Sequence, residues 1–198
     1  MDNTVNQIER HIVKRGRDKL YLVDDFLRYG DDGAVRVALS RLVKKEMLIR
    51  VAQGIYAYPK IDTELGLGVI YPSMDRIARL IAKRDKARIV PTGAYALHVL
   101  GLSTQVPTNI VYHTDGAPRK INVYNHTILF KHTVPKNLAY KSEVVMLVVS
   151  AMKEIGNGRV TESELEIIAQ ALKSESAEVV ELDLQLAPAW IRKTLIKL

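Results

Sequence analysis

Residues 33–59 constrain the fold of this chain more than any other stretch. They read GAVRVALSRLVKKEMLIRVAQGIYAYP and join a helical pattern to a β-hairpin pattern. At helical spacing, one side of residues 33–46 is apolar and the opposite side is mostly polar and basic. The apolar side comprises Val35, Ala38, Leu39, Leu42 and Val43. The opposite side comprises Arg36, Val37, Ser40, Arg41 and Lys44. We therefore expect a helix with one buried face and one face free to contact a partner.

Two β-prone runs follow this helix, at residues 48–51 and 55–58. The residues between them are Ala52, Gln53 and Gly54, and glycine readily takes the positive φ that a short hairpin loop requires. The pattern predicts a β-hairpin with Arg50 and Gln53 at or near its tip.

Two shorter helical patterns precede this region. Residues 3–15 place Val5, Ile8 and Ile12 at helical spacing, and residues 22–29 form a second apolar pattern. Gly16 and Gly30 end them, and Asp31 or Asp32 can cap the third helix. A small strand or turn fits residues 18–21.

Three helices and a hairpin in about sixty residues match the winged helix-turn-helix, whose recognition helix enters the major groove of DNA. The residues expected to contact DNA are Arg36, Val37, Ser40, Arg41, Lys44, Lys45, Arg50 and Gln53.

A stretch with two glycines, residues 62–71, separates two predicted domains, 1–62 and 72–198. In the second domain the patterns predict helices at 73–84, 93–100 (capped by Thr92), 142–155 and 161–173, and a last one with Pro188 in its first turn. Strands are expected at 89–90, 109–114, 120–124 and 127–131, with Asn125-His126 as the loop of the last hairpin. The predicted fold class is α+β: a winged helix-turn-helix domain, then a mixed α/β domain with a small antiparallel sheet and C-terminal helices.

The helix at 73–84 and the residues just after it carry a basic stripe. The stripe comprises Arg76, Arg79, Lys83 and Lys86. It has two interpretations that the sequence leaves open: a second polyanion contact, or the solvated face of an ordinary helix.

Two longer strings carry a family resemblance. ALSRLVKKEMLIRVAQGIYAYPK, at residues 38–60, and PTGAYALHVLGLSTQVPTNIVYHTDG, at residues 91–116, occur in this order. Together they resemble the antitoxin family of the AbiE abortive-infection system, and the likeness covers roughly residues 1–135. One departure is Glu46, which stands where that family pattern has a glycine before the wing.

This resemblance implies a phage-defence role within a type IV toxin–antitoxin operon. The protein would repress its own promoter by binding duplex DNA, and we expect an inverted repeat occupied by two copies. It would be paired functionally, without a stable complex, with a nucleotidyltransferase-like toxin. Residues 72–198 would neutralise that toxin, with the basic stripe as the first surface to test.

Other functions remain open at this stage. The chain could be a nucleic-acid-binding protein whose second domain is an enzyme or an RNA-binding module, or a winged-helix protein-interaction module. A neighbouring gene for a nucleotidyltransferase-like protein would favour the antitoxin, whereas turnover of nucleic acid by the purified protein would favour an enzyme.

The residue types argue against catalysis and against a bound metal or cofactor. The chain has no cysteine, which excludes disulfides and thiolate metal sites. His98, His113, His126 and His132 lack the spacing of known metal motifs, and no nucleophile elbow or phosphate-binding loop is present. We therefore expect no catalytic residues, no metal and no cofactor.

Charge and hydropathy suggest where the protein acts. The net charge of +7 comes from the part before residue 142, whereas the last part is acidic, and such clustering favours polyanion partners. The N-terminus lacks the apolar segment of a signal peptide, and no apolar run approaches the length of a membrane span. We expect a soluble, cytoplasmic protein without a membrane partner.

Overall fold

The structure, a computed structural model, describes residues 3–197. The fold class is α+β, and the chain divides into two compact units, Met1–Leu80 and Ile81–Leu198. The division between domains at residues 62–71 stays a prediction about which parts fold and act separately.

The first unit begins with helix α1, Thr4–Arg15. The side chain of Asn3 accepts a hydrogen bond from the N–H of Val5, and Gly16 ends the helix with φ of 77°. Strand β1, Lys19–Leu22, and a 3₁₀ helix, Val23–Tyr29, follow. The second predicted helix is thus a 3₁₀ helix of seven residues, which is longer than most 3₁₀ segments.

Helix α2 spans Asp32–Lys44. It begins one residue before the predicted range of 33–46 and ends two residues before the end of that range. Asp31 is its N-cap, accepting from the N–H of Ala34 at 2.7 Å. Its C-terminus closes as a Schellman motif: the N–H of Met47 donates to the carbonyl of Leu42 at 3.1 Å, and the N–H of Glu46 to that of Val43 at 2.9 Å.

Glu46 takes the backbone conformation that the Schellman motif requires. Its φ is 57°, the left-handed value that glycine adopts without steric cost and that costs other residues about 1–2 kcal/mol. A glutamate therefore forms a turn that usually carries glycine.

The hairpin after α2 consists of β2, Ile49–Ala52, and β3, Ile55–Tyr58. Gly54 has φ of 72°, as predicted for the loop. Strand β3 lies between β1 and β2 and is antiparallel to both, so the sheet order is β1-β3-β2.

The helices and this sheet share one hydrophobic core. Its buried residues are Val5, Ile8, Ile12, Tyr21, Val23, Phe26, Val35, Ala38, Leu39, Leu42, Leu48 and Tyr56. Each large side chain buried in this way contributes about 1.5–3 kcal/mol, so the core fixes which face of α2 points outward.

The prediction that residues 62–71 only connect two domains is wrong in one respect, because residues 68–70 form a strand. β4, Lys60–Asp62, and β5, Gly68–Ile70, form an antiparallel hairpin in which Ile61 lies opposite Val69. Both side chains are exposed. The sequence therefore lacks the alternation of buried and exposed residues by which a strand is recognised.

Helix α3, Met74–Arg84, contains the division between the two units. The Ser73 hydroxyl caps its start, accepting from the N–H of Arg76 at 3.3 Å. Ile77, Ala78 and Ile81 are buried and form its apolar side.

The second unit is built around a four-stranded sheet. Its strands are β6, Ile89–Thr92, β7, Asn109–Thr114, β8, Arg119–Val123, and β9, His126–His132, in the order β6-β7-β9-β8. The prediction of an antiparallel sheet is wrong, because β7 and β9 are parallel. Strand β9 of the β8–β9 hairpin, rather than β8, lies beside β7, and this insertion makes the sheet mixed.

Two turns in this unit differ from the prediction. Thr92 is the last residue of β6, and Gly93, with φ of 62°, precedes helix α4, Ala94–Val99. The β8–β9 loop is Tyr124-Asn125, because Val123 pairs with His126. The predicted register and the observed one both put Val123 and Ile128 on the same face of the sheet. The alternation of apolar residues therefore could not distinguish the two registers.

The chain ends in a short 3₁₀ helix, Pro135–Leu138, and four helices, α5, Glu143–Ile155, α6, Glu162–Leu172, α7, Ala177–Leu184, and α8, Ala189–Leu195. A capping box formed by Thr161 and Glu164 begins α6, close to the predicted start at residue 161. Helix α7 was not predicted, and Pro188 is the N-cap of α8 rather than a residue of its first turn.

One buried carboxylate joins α7 to the start of α5. Asp183 is 1% exposed and accepts from the backbone N–H groups of Lys141, at 2.9 Å, and Ser142, at 2.7 Å. These bonds offset the cost of burying its charge.

Among residues 3–197, no helix combines the length and the apolar character that crossing a membrane requires.

Candidate nucleic-acid interface

The polar face of α2 is exposed along its whole length. Arg36, Val37, Ser40, Arg41 and Lys44 are all exposed, whereas Val35, Ala38, Leu39 and Leu42 are buried. The predicted division of this helix into two faces is confirmed. Arg41 and Lys44 make no ion pair with any carboxylate of residues 3–197, so their charges are available to an anionic partner.

Arg36 is held by a neighbour on the same helix. Its Nε donates to the Asp32 carboxylate at 2.6 Å, one turn earlier, and this hydrogen bond raises the pKa of Arg36 above its ordinary value. Both side chains are more than half exposed. An ion pair this exposed is weak, and it is weaker than a bidentate arginine–guanine contact. A guanine can therefore displace Asp32.

Lys45 follows the last residue of α2 and lies 3.7 Å from Glu9 of α1. The lysine is 62% exposed and the glutamate 38% exposed, so this contact is weak and leaves most of the lysine charge facing solvent.

Gln53 and Arg50 were both predicted at or near the tip of the hairpin, and the structure places only Gln53 there. Gln53 lies in the turn and is exposed, whereas Arg50 lies within β2, opposite Tyr56 of β3. Residues paired across strands share a face, and Tyr56 is buried against the helices. Arg50 therefore lies on the helix side of the sheet, at its exposed edge.

The basic stripe of α3 is exposed, but half of it is already paired. Arg76 donates to the backbone carbonyl of Asp18 at 2.8 Å and pairs with the Asp18 carboxylate. Arg79 pairs with Asp75 at 2.6 Å. Lys83 and Lys86 have no carboxylate partner within residues 3–197. The available charge of the stripe is thus smaller than the sequence suggests.

The match to a protein family covers most of both units. The model of a family of unknown function, DUF6088, matches residues 7–180, from within α1 into α7. The chain belongs to this family. No curated protein matches the chain. Because the family description gives no activity, the function of this DUF6088 member has to be argued from its own side chains.

Four histidines, His98, His113, His126 and His132, were weighed as metal ligands from the sequence. Within residues 3–197, no group of three or more histidine or acidic side chains is close enough to hold a metal ion. Burial, followed by the charges of Lys153 and Lys131, lowers the pKa of His113. A lysine-rich neighbourhood disfavours a cation.

One cluster in this DUF6088 chain was missed by the sequence analysis. His11 of α1 meets Arg28 and Tyr29 of the first 3₁₀ helix, and Arg28 lies 2.7 Å from the Nδ1 of His11. These residues are 17 and 18 positions apart. No short motif joins them, and only the packing of the two helices brings them together.

Proposed function

We propose that this protein is the antitoxin and DNA-binding autorepressor of an AbiE-like type IV toxin–antitoxin operon. In this proposal the first unit is a winged helix-turn-helix. The observation that carries it is the exposed cationic face of α2, followed at once by a hairpin whose edge presents Arg50. The element order and the β1-β3-β2 sheet agree with that architecture.

The side chains divide into two proposed roles. Arg36, Arg41 and Ser40 read base edges, since an arginine can donate two hydrogen bonds to O6 and N7 of guanine. Val37, which is 53% exposed, contacts a thymine methyl group. The remaining residues contact or approach phosphates and position the helix without reading sequence, and they are Lys44, Lys45, Arg50 and Gln53.

One winged helix covers few base pairs, so the proposed operator is an inverted repeat occupied by two copies. The partner DNA is the promoter of the protein's own operon.

The experiment that tests DNA binding is a gel-shift titration with promoter and scrambled duplexes at two salt concentrations. Arg36→Ala and Arg41→Ala should lower the promoter-to-scrambled affinity ratio about tenfold to a hundredfold. Lys44→Ala should weaken both duplexes and reduce the slope of log affinity against log salt by about one.

The matched control is Lys193→Ala, an exposed lysine of α8 in the second unit, which should change neither quantity. If the wild-type protein binds neither duplex, or Arg36→Ala and Arg41→Ala leave the ratio unchanged, the proposed role of α2 is wrong. The protein-interaction alternative would then take its place.

The antitoxin part of the proposal rests on the AbiE resemblance and assigns toxin neutralisation to residues 72–198. Among the stripe residues, Lys83 and Lys86 are the better candidates, because Arg76 and Arg79 are engaged by aspartates. Neutralisation without a stable complex is part of the same proposal, with a nucleotidyltransferase-like toxin as the functional partner.

Co-expression with the toxin of the neighbouring gene tests this assignment, with growth as the measurement. Full-length protein carrying Arg41→Ala and Lys44→Ala should still protect, because the DNA-binding face is not required. Full-length protein carrying Lys83→Gln and Lys86→Asn should lose protection. Asparagine suits position 86, where φ is 53°. Protection lost in the first variant and kept in the second would overturn the assignment.

A further inference from the structure

A basic concavity lies between α1 and the first 3₁₀ helix, built from residues outside the α2 face. Its volume is about 650 Å³. The residues that line it are Gln7, Arg10, His11, Lys14, Arg28 and Tyr29. Three of these six side chains carry a permanent positive charge, and none is acidic.

The wall of the concavity is held in place by directional contacts. The Thr4 hydroxyl donates to the backbone carbonyl of Tyr29 at 3.1 Å, which fixes the end of the 3₁₀ helix against α1. The Arg28 guanidinium lies 4.7 Å above the Tyr29 ring, and its Nη2 is 2.7 Å from the Nδ1 of His11. The Tyr29 hydroxyl lies 3.0 Å from the same nitrogen.

The His11 ring is fixed from its other side as well. It makes edge contacts with Phe26, at 5.7 Å between centroids, and with Tyr21, at 6.4 Å. With Arg28 donating to Nδ1, the neutral ring carries its proton on Nε2. The concavity therefore has an oriented guanidinium and an imidazole whose tautomer is set by its neighbours.

The charges around His11 are predominantly positive. Burial is the largest cause that lowers the pKa of His11, and the charges of Arg28 and Arg15 are the next largest. Asp25 opposes them by raising this pKa, and Lys14 lowers it slightly. The Asp25 carboxylate already accepts from the N–H of Leu22 at 2.7 Å. Neither Lys14 nor Arg28 forms an ion pair with a carboxylate within residues 3–197.

We propose that this concavity binds a phosphate group, presented either by a nucleic-acid backbone or by a free phosphorylated molecule. A guanidinium fork and a lysine ammonium on one concave surface match the several oxygens and the double charge of phosphate. The site is separate from the α2 face and does not depend on the proposed base reading.

The test uses the full-length protein and observes its histidine ring signals by NMR, with His11→Gln to assign the His11 signal. Inorganic pyrophosphate is titrated first, and a scrambled DNA duplex second. Pyrophosphate should shift the His11 signal and raise the pKa of His11, because a bound anion opposes the charges of Arg28, Arg15 and Lys14.

Arg28→Gln and Lys14→Gln should each weaken the interaction about tenfold or more, since each removes a charged hydrogen-bond donor. Arg28→Lys should restore only part of it, because lysine lacks the planar fork. Lys60→Gln, an exposed lysine of β4 in the same unit, is the matched control and should have no effect. Unchanged ring signals of Tyr56, which lies in the core of the first unit, would show that the variants are folded.

The two titrations separate the possible sources of the phosphate. A pyrophosphate response that Arg28→Gln abolishes supports a free phosphorylated ligand. A response to the duplex alone, with a smaller salt slope in Arg28→Gln, supports a backbone phosphate. If neither probe shifts the His11 signal, or if Arg28→Gln binds as the wild type does, the proposal is wrong whatever the outcome for α2.

Discussion

Helices α2 and α3 look alike in sequence, and the structure separates them. Both are amphipathic and present arginines and lysines to solvent. On α3, Arg76 and Arg79 are paired with Asp18 and Asp75, whereas on α2 Arg41 and Lys44 have no carboxylate partner among the described residues. A basic stripe therefore indicates a polyanion contact only where the neighbouring carboxylates leave its charge available.

The largest expected effect comes from neutralising matched pairs on the two helices. Arg41→Gln with Lys44→Gln should lower affinity for promoter DNA about a hundredfold, because it removes one of the proposed base contacts and one of the proposed phosphate contacts. Arg79→Gln with Lys83→Gln, which removes the same charge from α3, should change that affinity less than about threefold. Fluorescence anisotropy with a labelled promoter duplex would measure both. Equal losses from the two pairs would remove the distinction between the helices.

The predictable part of this comparison was the division of each helix into faces. Leu39 and Leu42 on α2, and Ile77 and Ile81 on α3, are buried as their spacing predicts. The pairing of Arg76 with Asp18 was not predictable, because it joins residues 58 positions apart. The pair Arg36–Asp32, at i and i+4, carried a local signal that the sequence analysis did not use.

The same limit applies to the sheets. Strand β7 matches its predicted residues because its pattern is local, and the Asp31 cap was recognised for the same reason. The parallel β7–β9 contact was missed, since it depends on which strand of a hairpin inserts beside β7. The His11 cluster was missed because it depends on the packing of two helices.

A second expected effect concerns the turn that leads from α2 into the hairpin. Glu46→Gly should raise the free energy of unfolding by up to about 1 kcal/mol, because the relief of a left-handed backbone outweighs the added freedom of the unfolded chain. Arg41→Gly, at an exposed position inside the helix, should lower it by about the same amount. Urea unfolding would measure both, and a loss of stability in Glu46→Gly would show that its side chain matters more than its φ.

A smaller effect is expected from removing the charged partner of one arginine on each helix. Asp32→Asn removes the partner of Arg36 and a negative charge beside the face proposed to contact DNA, so affinity for any duplex should rise by up to about fivefold. Asp18→Asn removes the charged partner of Arg76 on α3 and leaves its bond to the backbone carbonyl of residue 18 in place. Asparagine also tolerates the φ of 62° at this position. This substitution should leave DNA affinity unchanged. If Asp18→Asn strengthens binding as much as Asp32→Asn does, pairing is not what distinguishes α3 from α2.

The smallest expected effect tests how much a paired arginine contributes where it holds structure together. In the second unit, the Arg88 side chain donates to the Asp115 carboxylate at 2.8 Å and its backbone N–H donates at 2.7 Å, and these bonds lower the pKa of Asp115. A carboxyl group whose pKa is lower in the folded state stabilises the fold above its unfolded pKa, and this contribution is lost as the pH falls through the folded pKa. Because the pair is largely exposed, we expect at most about 1 kcal/mol.

Urea unfolding of the wild type and Arg88→Gln at several pH values would measure that contribution. The difference in free energy of unfolding should be constant between about pH 5 and 7 and should shrink below about pH 4, as Asp115 becomes protonated. Lys193→Gln, whose lysine has no carboxylate partner in the described part of the chain, should show no such change with pH. The Arg88 guanidinium also donates to the carbonyl of Leu138 at 3.2 Å. A difference for Arg88→Gln that is as large at pH 2.5 as at pH 7 would therefore assign the stabilisation to that uncharged contact rather than to the ion pair.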